Sequence, residues 1–153
     1  MHFTSERRLD GGLLEREFTL GEIPGILWTP TSAQAPLILV GHPGGLRKMY
    51  PRLVGRARHA AAYGFAAATI ELPWSGDRPR SADAEQARAD LHRALAAGEP
   101  VDGIVDRLVL PLVEQAVPEW QAVLDALLSL PDIGGPVGYS GGVIAIGIRL
   151  VSV

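Results

Sequence analysis

The stretch Pro36-Leu37-Ile38-Leu39-Val40-Gly41-His42-Pro43-Gly44-Gly45 decides the fold. Its first half is a continuous apolar run, which is typical of a strand that is buried on both faces of a parallel sheet. Its second half is a loop of glycine and proline, and a helix is predicted after it over residues 51–63, where apolar positions recur three or four apart. A buried strand, a loop and a helix in this order indicate an α/β protein.

Further elements extend this unit on both sides. Two extended runs at residues 15–20 and 23–28, separated by a Gly-Glu turn, predict an antiparallel hairpin. A second buried strand is predicted at 65–70, a third short strand at 136–139, and a last helix over 142–153. The five strands predict an α/β fold with a doubly wound, mostly parallel sheet that begins with the antiparallel hairpin.

Residues 73–134 are predicted to form a long helical crossover with room for a small cap. Ser81 is a natural N-cap for a first helix, which Gly98 is expected to end. A second helical region follows over 101–128 and should be broken or kinked at its two prolines. The last part of this region carries an apolar stripe that should lie on the sheet.

Composition limits the function classes. The chain has 153 residues, 47% of them hydrophobic and 20% charged, which suits one globular domain. A net charge of −3 with scattered basic residues does not favour nucleic-acid binding. The absence of cysteine excludes disulfides and thiolate metal sites, and no cofactor or metal is expected. The N-terminus lacks the apolar region of a secretory signal, and the longest apolar stretch, residues 141–153, is too short to span a membrane, so a cytoplasmic protein is expected.

Ser140 is the strongest candidate for chemistry. It is the central residue of Gly138-Tyr139-Ser140-Gly141-Gly142, which fits the pattern G-x-S-x-G. A predicted strand leads into this serine and a predicted apolar helix leaves it, which is the strand-turn-helix context of a nucleophile. The helix N-terminus would direct free amides at the charge that develops during acyl transfer. The alternative is a glycine-rich turn that carries an idle serine.

These motifs together resemble the α/β-hydrolase fold family over essentially the whole chain. Residues 138–142 look like the nucleophile elbow, and residues 41–45 look like the His-Gly loop that contributes to the oxyanion hole. Residues 71–78 are similar to the turn D-x-P-G-x-G-x-S of this family, although Glu71 replaces the usual Asp and Trp74 the usual Gly. The resemblance implies the N-terminal half of such a fold.

The resemblance also implies roles for individual residues. Ser140 would attack the carbonyl, and the amide of Gly141 would be one oxyanion donor. Gly44, or alternatively Gly45, would supply the second amide, whereas His42 would hold the loop and would not act as the base. Candidates for lining an apolar acyl pocket are Met49, Trp74 and Tyr139, each of which could equally belong to the core.

Length is the main departure from this family. The family's acid and histidine follow the nucleophile in sequence, whereas all four histidines here precede Ser140. A truncated or split hydrolase is therefore expected, nearly inactive alone and completed by a complementary C-terminal chain or a second subunit. The expected substrate is a small carboxylic ester. The runner-up is a non-catalytic α/β domain that binds a partner through an exposed sheet edge. A nucleotide site is disfavoured, because residues 41–45 lack both phosphate-loop patterns.

Overall fold

The computed structural model describes residues 1–31 and 34–141. These residues form six strands and three helices. In chain order they are β1 (His2–Arg8), β2 (Leu14–Leu20), β3 (Ile23–Thr29), β4 (Ala35–Val40), α1 (Leu46–Ala62), β5 (Ala66–Ile70), α2 (Ala82–Ala97), α3 (Asp102–Leu128) and β6 (Ile133–Ser140). The helix predicted over 142–153 lies outside the described residues.

The six strands form one mixed sheet in the order β1-β2-β3-β5-β4-β6. The pairs β1–β2, β2–β3 and β3–β5 are antiparallel, whereas β4 runs parallel to both β5 and β6. The crossovers through α1 and through α2 and α3 connect the parallel strands. The predicted α/β fold class is confirmed, with an antiparallel portion that is larger than the predicted hairpin.

The additional strand is β1, which the sequence pattern did not predict. Its residues are polar, and only Phe3 is partly buried, so hydrophobic alternation is missing. The strand exists because it pairs with β2 along its length, from His2 opposite Thr19 to Arg8 opposite Leu14. Backbone pairing with a neighbour therefore defines this edge strand, and such pairing leaves no trace in a local pattern.

Helices cover both faces of the sheet, as the doubly wound prediction requires. On one face, α1 packs the buried Leu53, Ala57 and Ala60 against residues of β3, β4 and β5 that include Trp28. On the other face, α3 buries an apolar stripe against the same strands. That stripe consists of Trp120, Val123 and Leu127. The described sheet is therefore buried at its centre and open at β6, whose residues are mostly exposed after Ile133.

Helix α1 begins at Leu46, five residues before the predicted start at Pro51. The expectation that Pro51 opens the helix was wrong, because the proline lies inside it. The first helical amide, that of Leu46, donates to the carboxylate of Glu71 over 3.0 Å. Glu71, 25 residues away in sequence, thus supplies an acceptor for one of the amides at the N-terminus of α1. The N-cap residue is Gly45, which has no side chain to cap the helix.

The crossover contains α2 and α3, which pack against each other. Ser81 caps α2 as predicted, accepting a hydrogen bond from the amide of Ala84, and Gly98 ends it in the left-handed conformation. Helix α3 continues through both of its prolines, so the expected break is not present. In the described part of the chain, no helix is long and apolar enough to cross a membrane.

Candidate active site

Ser140 is the last residue of β6 and lies at the carboxyl end of the parallel strands. It pairs with Val40, the last residue of β4. The amide of Gly41 donates to the carbonyl of Ser140 over 2.8 Å. The candidate nucleophile therefore adjoins the first residue of the glycine loop at residues 41–45. This edge of a parallel sheet is where α/β proteins place their ligand sites.

The alternation of β6 sends neighbouring side chains to opposite faces. Tyr139 packs against the core between the sheet and α3, where burial raises the pKa of its phenol. Ser140 is exposed and borders a cavity of about 600 Å³ on the α1 face. Residues of β4 and α1 form the rest of its wall, among them Val40, Arg56 and Tyr63. Tyr139 and Ser140 therefore do not line a common surface.

Within residues 1–31 and 34–141, no side chain forms a hydrogen bond with the Ser140 hydroxyl. His59 borders the same cavity but stacks edge-on against Tyr63. His2 and His92 are exposed on β1 and α2. The described residues thus place a serine at the strand end without a general base bound to it.

His42 is buried and occupies the glycine loop directly after Gly41. Its Nε2 lies 2.9 Å from the carbonyl of Ile70, which can only accept, so this nitrogen carries the hydrogen. Its Nδ1 has no hydrogen-bond partner among the described residues. The imidazole therefore links the glycine loop to the end of β5, and its Nε2 hydrogen is engaged in this bond.

Gly44 and Gly45 form the end of the loop and lead into α1. The carbonyl of Gly45 accepts from the amide of Met49, which closes the first helical turn over 3.0 Å. A side chain added at Gly44 would lie 3.5 Å from the Met49 Cγ, so Met49 covers this part of the loop. Within the described residues, the amides of Gly44 and Gly45 are without a protein acceptor.

Gly141 follows β6 directly and is exposed. A Cβ added at this residue would lie 2.7 Å from Cε1 of Tyr139, inside van der Waals contact. The tyrosine ring thus lies beside Gly141 and would have to move to accommodate a side chain there. The structure beyond Gly141 lies outside the described residues.

The turn after β5 carries the two residues that depart from the family pattern. Glu71 is buried and accepts hydrogen bonds from the Leu46 amide and the Ser75 hydroxyl. Trp74 has a φ of 60°, in the left-handed region that favours glycine. A glycine at this position would adopt this conformation without strain, whereas Trp74 adopts it at a cost in free energy.

From the sequence, Glu71 was recognised only as a departure from the usual Asp of this turn. Its hydrogen bond to the Leu46 amide, where the glycine loop becomes α1, was not predicted. The available signal was an acidic residue directly after a strand predicted to be fully buried, where a carboxylate needs a polar partner. Arg78, in the same turn, forms a bidentate pair with Glu119 of α3 at 2.6 and 2.7 Å. Hydrogen bonding to Glu119 raises the pKa of Arg78. This pair fixes the turn against α3.

Metal-binding side chains are not clustered in the described ranges: no group of three or more His, Asp or Glu residues is placed to hold an ion there. Glu71 and Arg78 are engaged in hydrogen bonds within the protein, and the Arg56 guanidinium donates to the carbonyl of Gly41 over 3.5 Å.

Comparison with known proteins gives similar structures but no sequence match: neither a family model nor a curated protein matches the chain. A cold-adapted esterase from an Arctic intertidal metagenomic library, solved with bound polyethylene glycol, is 25% identical with a TM-score of 0.62; the match covers 92% of this chain and 55% of the esterase. A putative acetyl xylan esterase from Bacteroides fragilis is 16% identical with a TM-score of 0.54, covering 91% and 40%. Acetyl xylan esterase from a Paenibacillus species is 13% identical with a TM-score of 0.53, covering 92% and 44%.

These similarities concern the fold. The chain spans about half the length of the solved esterases that it matches. The predicted resemblance to the α/β-hydrolase fold is supported at that level, by the strand order as well as by the matched structures. The chain therefore has an α/β fold that it shares with solved esterases over about half of their length.

Proposed function

We propose that this chain belongs to a serine hydrolase that cleaves small carboxylic esters, with Ser140 as its nucleophile. The observation that carries the proposal is the hydrogen bond between Gly41 and Ser140, which brings a serine and a loop with free amides to one edge of the sheet. The likeness to solved esterases supports the same chemistry at the level of the fold. No cofactor is required for this reaction.

The reaction would proceed in two halves. In the first, Ser140 Oγ attacks the acyl carbon and its proton passes to a histidine, while the amides of Gly141 and of Gly44 or Gly45 stabilise the oxyanion. The intermediate collapses, the alcohol leaves with that proton, and an acyl-enzyme remains. In the second, water repeats the attack, which releases the carboxylic acid and restores the serine.

The histidine and its acid would come from polypeptide outside the described residues. The exposed position of β6 at the end of the described sheet supports this part of the proposal, since an unpaired strand edge accepts another strand. A complementary chain or a second subunit would then both cover β6 and supply the base. The crossover helices α2 and α3 would contribute the small cap.

The candidate pocket residues would act in different ways. Met49 contacts Gly44 and Trp74 is half-buried in the turn after β5, so both are proposed to border the acyl group. Tyr139 packs on the opposite face from Ser140, and its ring lies beside Gly141. Its proposed contribution is therefore to the placement of Gly141, and only indirectly to the pocket.

A second candidate function is a non-catalytic domain that binds a partner chain through β6. The exposed edge strand favours it as much as it favours a split enzyme. The two functions differ in one respect, because the binding domain needs no reactive serine. Binding of a partner chain without any esterase activity would identify it.

Hydrolysis of short p-nitrophenyl esters by the natural protein that contains this chain tests the proposal. Ser140→Ala should lower kcat by about 10³-fold or more, as expected for loss of a nucleophile. Ser129→Ala is the matched control, because Ser129 is an exposed serine at the end of α3 whose hydroxyl donates to the Ala126 carbonyl and has no other hydrogen-bond partner in residues 1–31 and 34–141. Equal activity in the two variants would contradict the proposal.

A further inference from the structure

We infer that Glu71 is a positioning residue, whose carboxylate sets the geometry of the amides of Gly44 and Gly45. The inference rests on the proposed function, because it concerns the second oxyanion donor of that site. From the sequence, Glu71 was recognised only as a replacement for the usual Asp of the turn at residues 71–78, and no contact of its carboxylate was predicted. The support is the burial of the Glu71 carboxylate, its hydrogen bonds to the Leu46 amide and the Ser75 hydroxyl, and the close contacts around it.

Glu71 is a buried carboxylate that forms no ion pair among the described residues, although the charge of Arg78 interacts with it over a longer distance. It is 5% exposed. Among the described residues no lysine or arginine forms an ion pair with its carboxylate, and Arg78 bonds instead to its backbone carbonyl over 3.1 Å. Burial of an unpaired carboxylate is unfavourable for the fold. A residue that breaks a rule of stability in this way is expected mainly at functional sites.

The partners of this carboxylate belong to two different loops. One oxygen accepts from the Leu46 amide at 3.0 Å, at the point where the glycine loop becomes α1. The other accepts from the hydroxyl of Ser75, in the turn that follows β5. The side chain of Glu71 is thus the polar bridge between the glycine loop and this turn.

Steric contacts make the bridge tight. A Cβ added at Gly45 would lie 3.2 Å from the Cα of Gly76, so the two loops touch through glycines. A Cβ added at Gly76 would lie 2.6 Å from the carboxyl carbon of Glu71, and Gly76 itself has a φ of 56°. The two loops therefore lie close together, and the carboxylate links them through its two hydrogen bonds.

Of the amides at the N-terminus of α1, that of Leu46 donates to the carboxylate of Glu71. Gly44, Gly45 and Leu46 present successive amides at the N-terminus of α1, where an anion is favoured. Because Glu71 occupies the Leu46 amide, the two glycine amides remain for the oxyanion. Loss of the carboxylate would free the Leu46 amide and release the loop from the turn, so the glycine amides would no longer be fixed in place.

Amide hydrogen exchange tests the structural part without any catalysis. In Glu71→Ala, the Leu46 amide should lose most of its protection and exchange at Gly44 and Gly45 should change. In Glu71→Gln, protection should be retained, because the amide oxygen still accepts from Leu46 and its NH₂ group can donate to Ser75. Unchanged exchange at residues 44–46 in Glu71→Ala would overturn the inference. If Glu71→Ala does not fold, Ser75→Ala should weaken the same bridge and show the same effect to a smaller degree.

Glu15→Ala is the matched control. Glu15 is also a buried carboxylate, 1% exposed, but its hydrogen-bond partners in the described chain are Arg7, Trp28 and Tyr50, none of which belongs to residues 44–46. This variant should lower global stability and leave the relative exchange of residues 44–46 unchanged. A change at those residues equal to that in Glu71→Ala would overturn the inference, because it would mean that any lost buried carboxylate loosens the loop.

Ester hydrolysis by the natural protein tests the catalytic part. Glu71→Ala should lower kcat by about 10- to 100-fold with little change in KM, since a displaced oxyanion donor acts on the transition state, and Glu71→Gln should restore most of the rate. Unchanged kcat in an otherwise active protein whose exchange has changed would overturn the positioning role. If the parent protein shows no hydrolysis, the proposed function fails, while the exchange experiment still decides whether Glu71 holds the loop.

Discussion

The amide of Gly41 donates a hydrogen bond to the carbonyl of Ser140 over 2.8 Å, one step beyond the last residue pair of β4 and β6. The parallel pairing of these strands therefore continues into the glycine loop. As a result, the end of β6 and the start of the loop are joined as one unit. His42 and Glu71 extend this unit to β5 and to the turn that follows it.

Gly25 should be the glycine of the sheet that is least tolerant of substitution. A Cβ at this residue would lie 2.6 Å from Cε2 of Phe18 and 2.7 Å from the Thr69 carbonyl oxygen. Gly25→Ala should therefore lower the free energy of unfolding by about 3 kcal/mol, measured by urea denaturation. Gly55→Ala is the control, because nothing lies within 4 Å there and the residue is helical, so this variant should gain about 1 kcal/mol. Similar losses in both variants would contradict the packing.

The left-handed backbone conformation of Trp74 should lower the stability of the folded protein. Trp74→Gly and Trp74→Ala remove the same ring, but only glycine adopts a φ of 60° without strain. Trp74→Gly should therefore be more stable than Trp74→Ala by about 1 kcal/mol in thermal or urea unfolding. Equal stability of the two variants would show that residue 74 does not have this conformation in solution.

The Arg78–Glu119 pair should contribute to stability only while both partners are present. The side chains are 8% and 14% exposed, so removal of one leaves a largely buried charge. Arg78→Met should lower the free energy of unfolding by about 3 kcal/mol. The double variant Arg78→Met/Glu119→Leu should recover much of this loss. A double-mutant cycle without coupling would contradict the pairing.

Stability should decline in alkaline solution partly because of Tyr50. Burial raises the pKa of the Tyr50 phenol above its ordinary value of 10.0, and its hydrogen bond to Glu15 acts in the same direction. The unfolded state therefore loses this proton first, so the stabilisation is complete below pH 10 and is lost as the pH rises through the folded-state pKa. Tyr50→Phe should cost about 1 kcal/mol at pH 7 through lost hydrogen bonds and show a shallower decline above pH 10. Parallel pH profiles would contradict this assignment.

Local patterns predicted most of the fold. The hairpin of β2 and β3 was predicted within one residue at each end, since its strands are bounded by clear turn signals and Gly21 supplies a φ of 57° in the turn. Helix α2 was equally clear, because Ser81 and Gly98 mark its ends chemically. Buried strands β4 and β5 were recognisable as continuous apolar runs.

The features that local patterns missed depend on partners that are distant in sequence. Strand β1 is defined by its pairing with β2, and the early start of α1 depends on Glu71, which follows β5. The predicted chemistry was limited for the same reason. Ser140 and the glycine loop could be recognised by motif, but the contacts of Glu71 and Gly76 with the start of α1 join two segments that are distant in sequence.

The most direct test of the proposed nucleophile is the reaction of the natural protein with a fluorophosphonate probe, followed by mass-spectrometric mapping of the labelled peptide. The proposal predicts a single phosphonylated residue, Ser140, with no labelling in Ser140→Ala and full labelling in Ser129→Ala. It further predicts that labelling of this 153-residue chain by itself is weak and rises when the polypeptide that supplies the histidine is added. Labelling at another residue, or none in the completed protein, would contradict the assignment of Ser140.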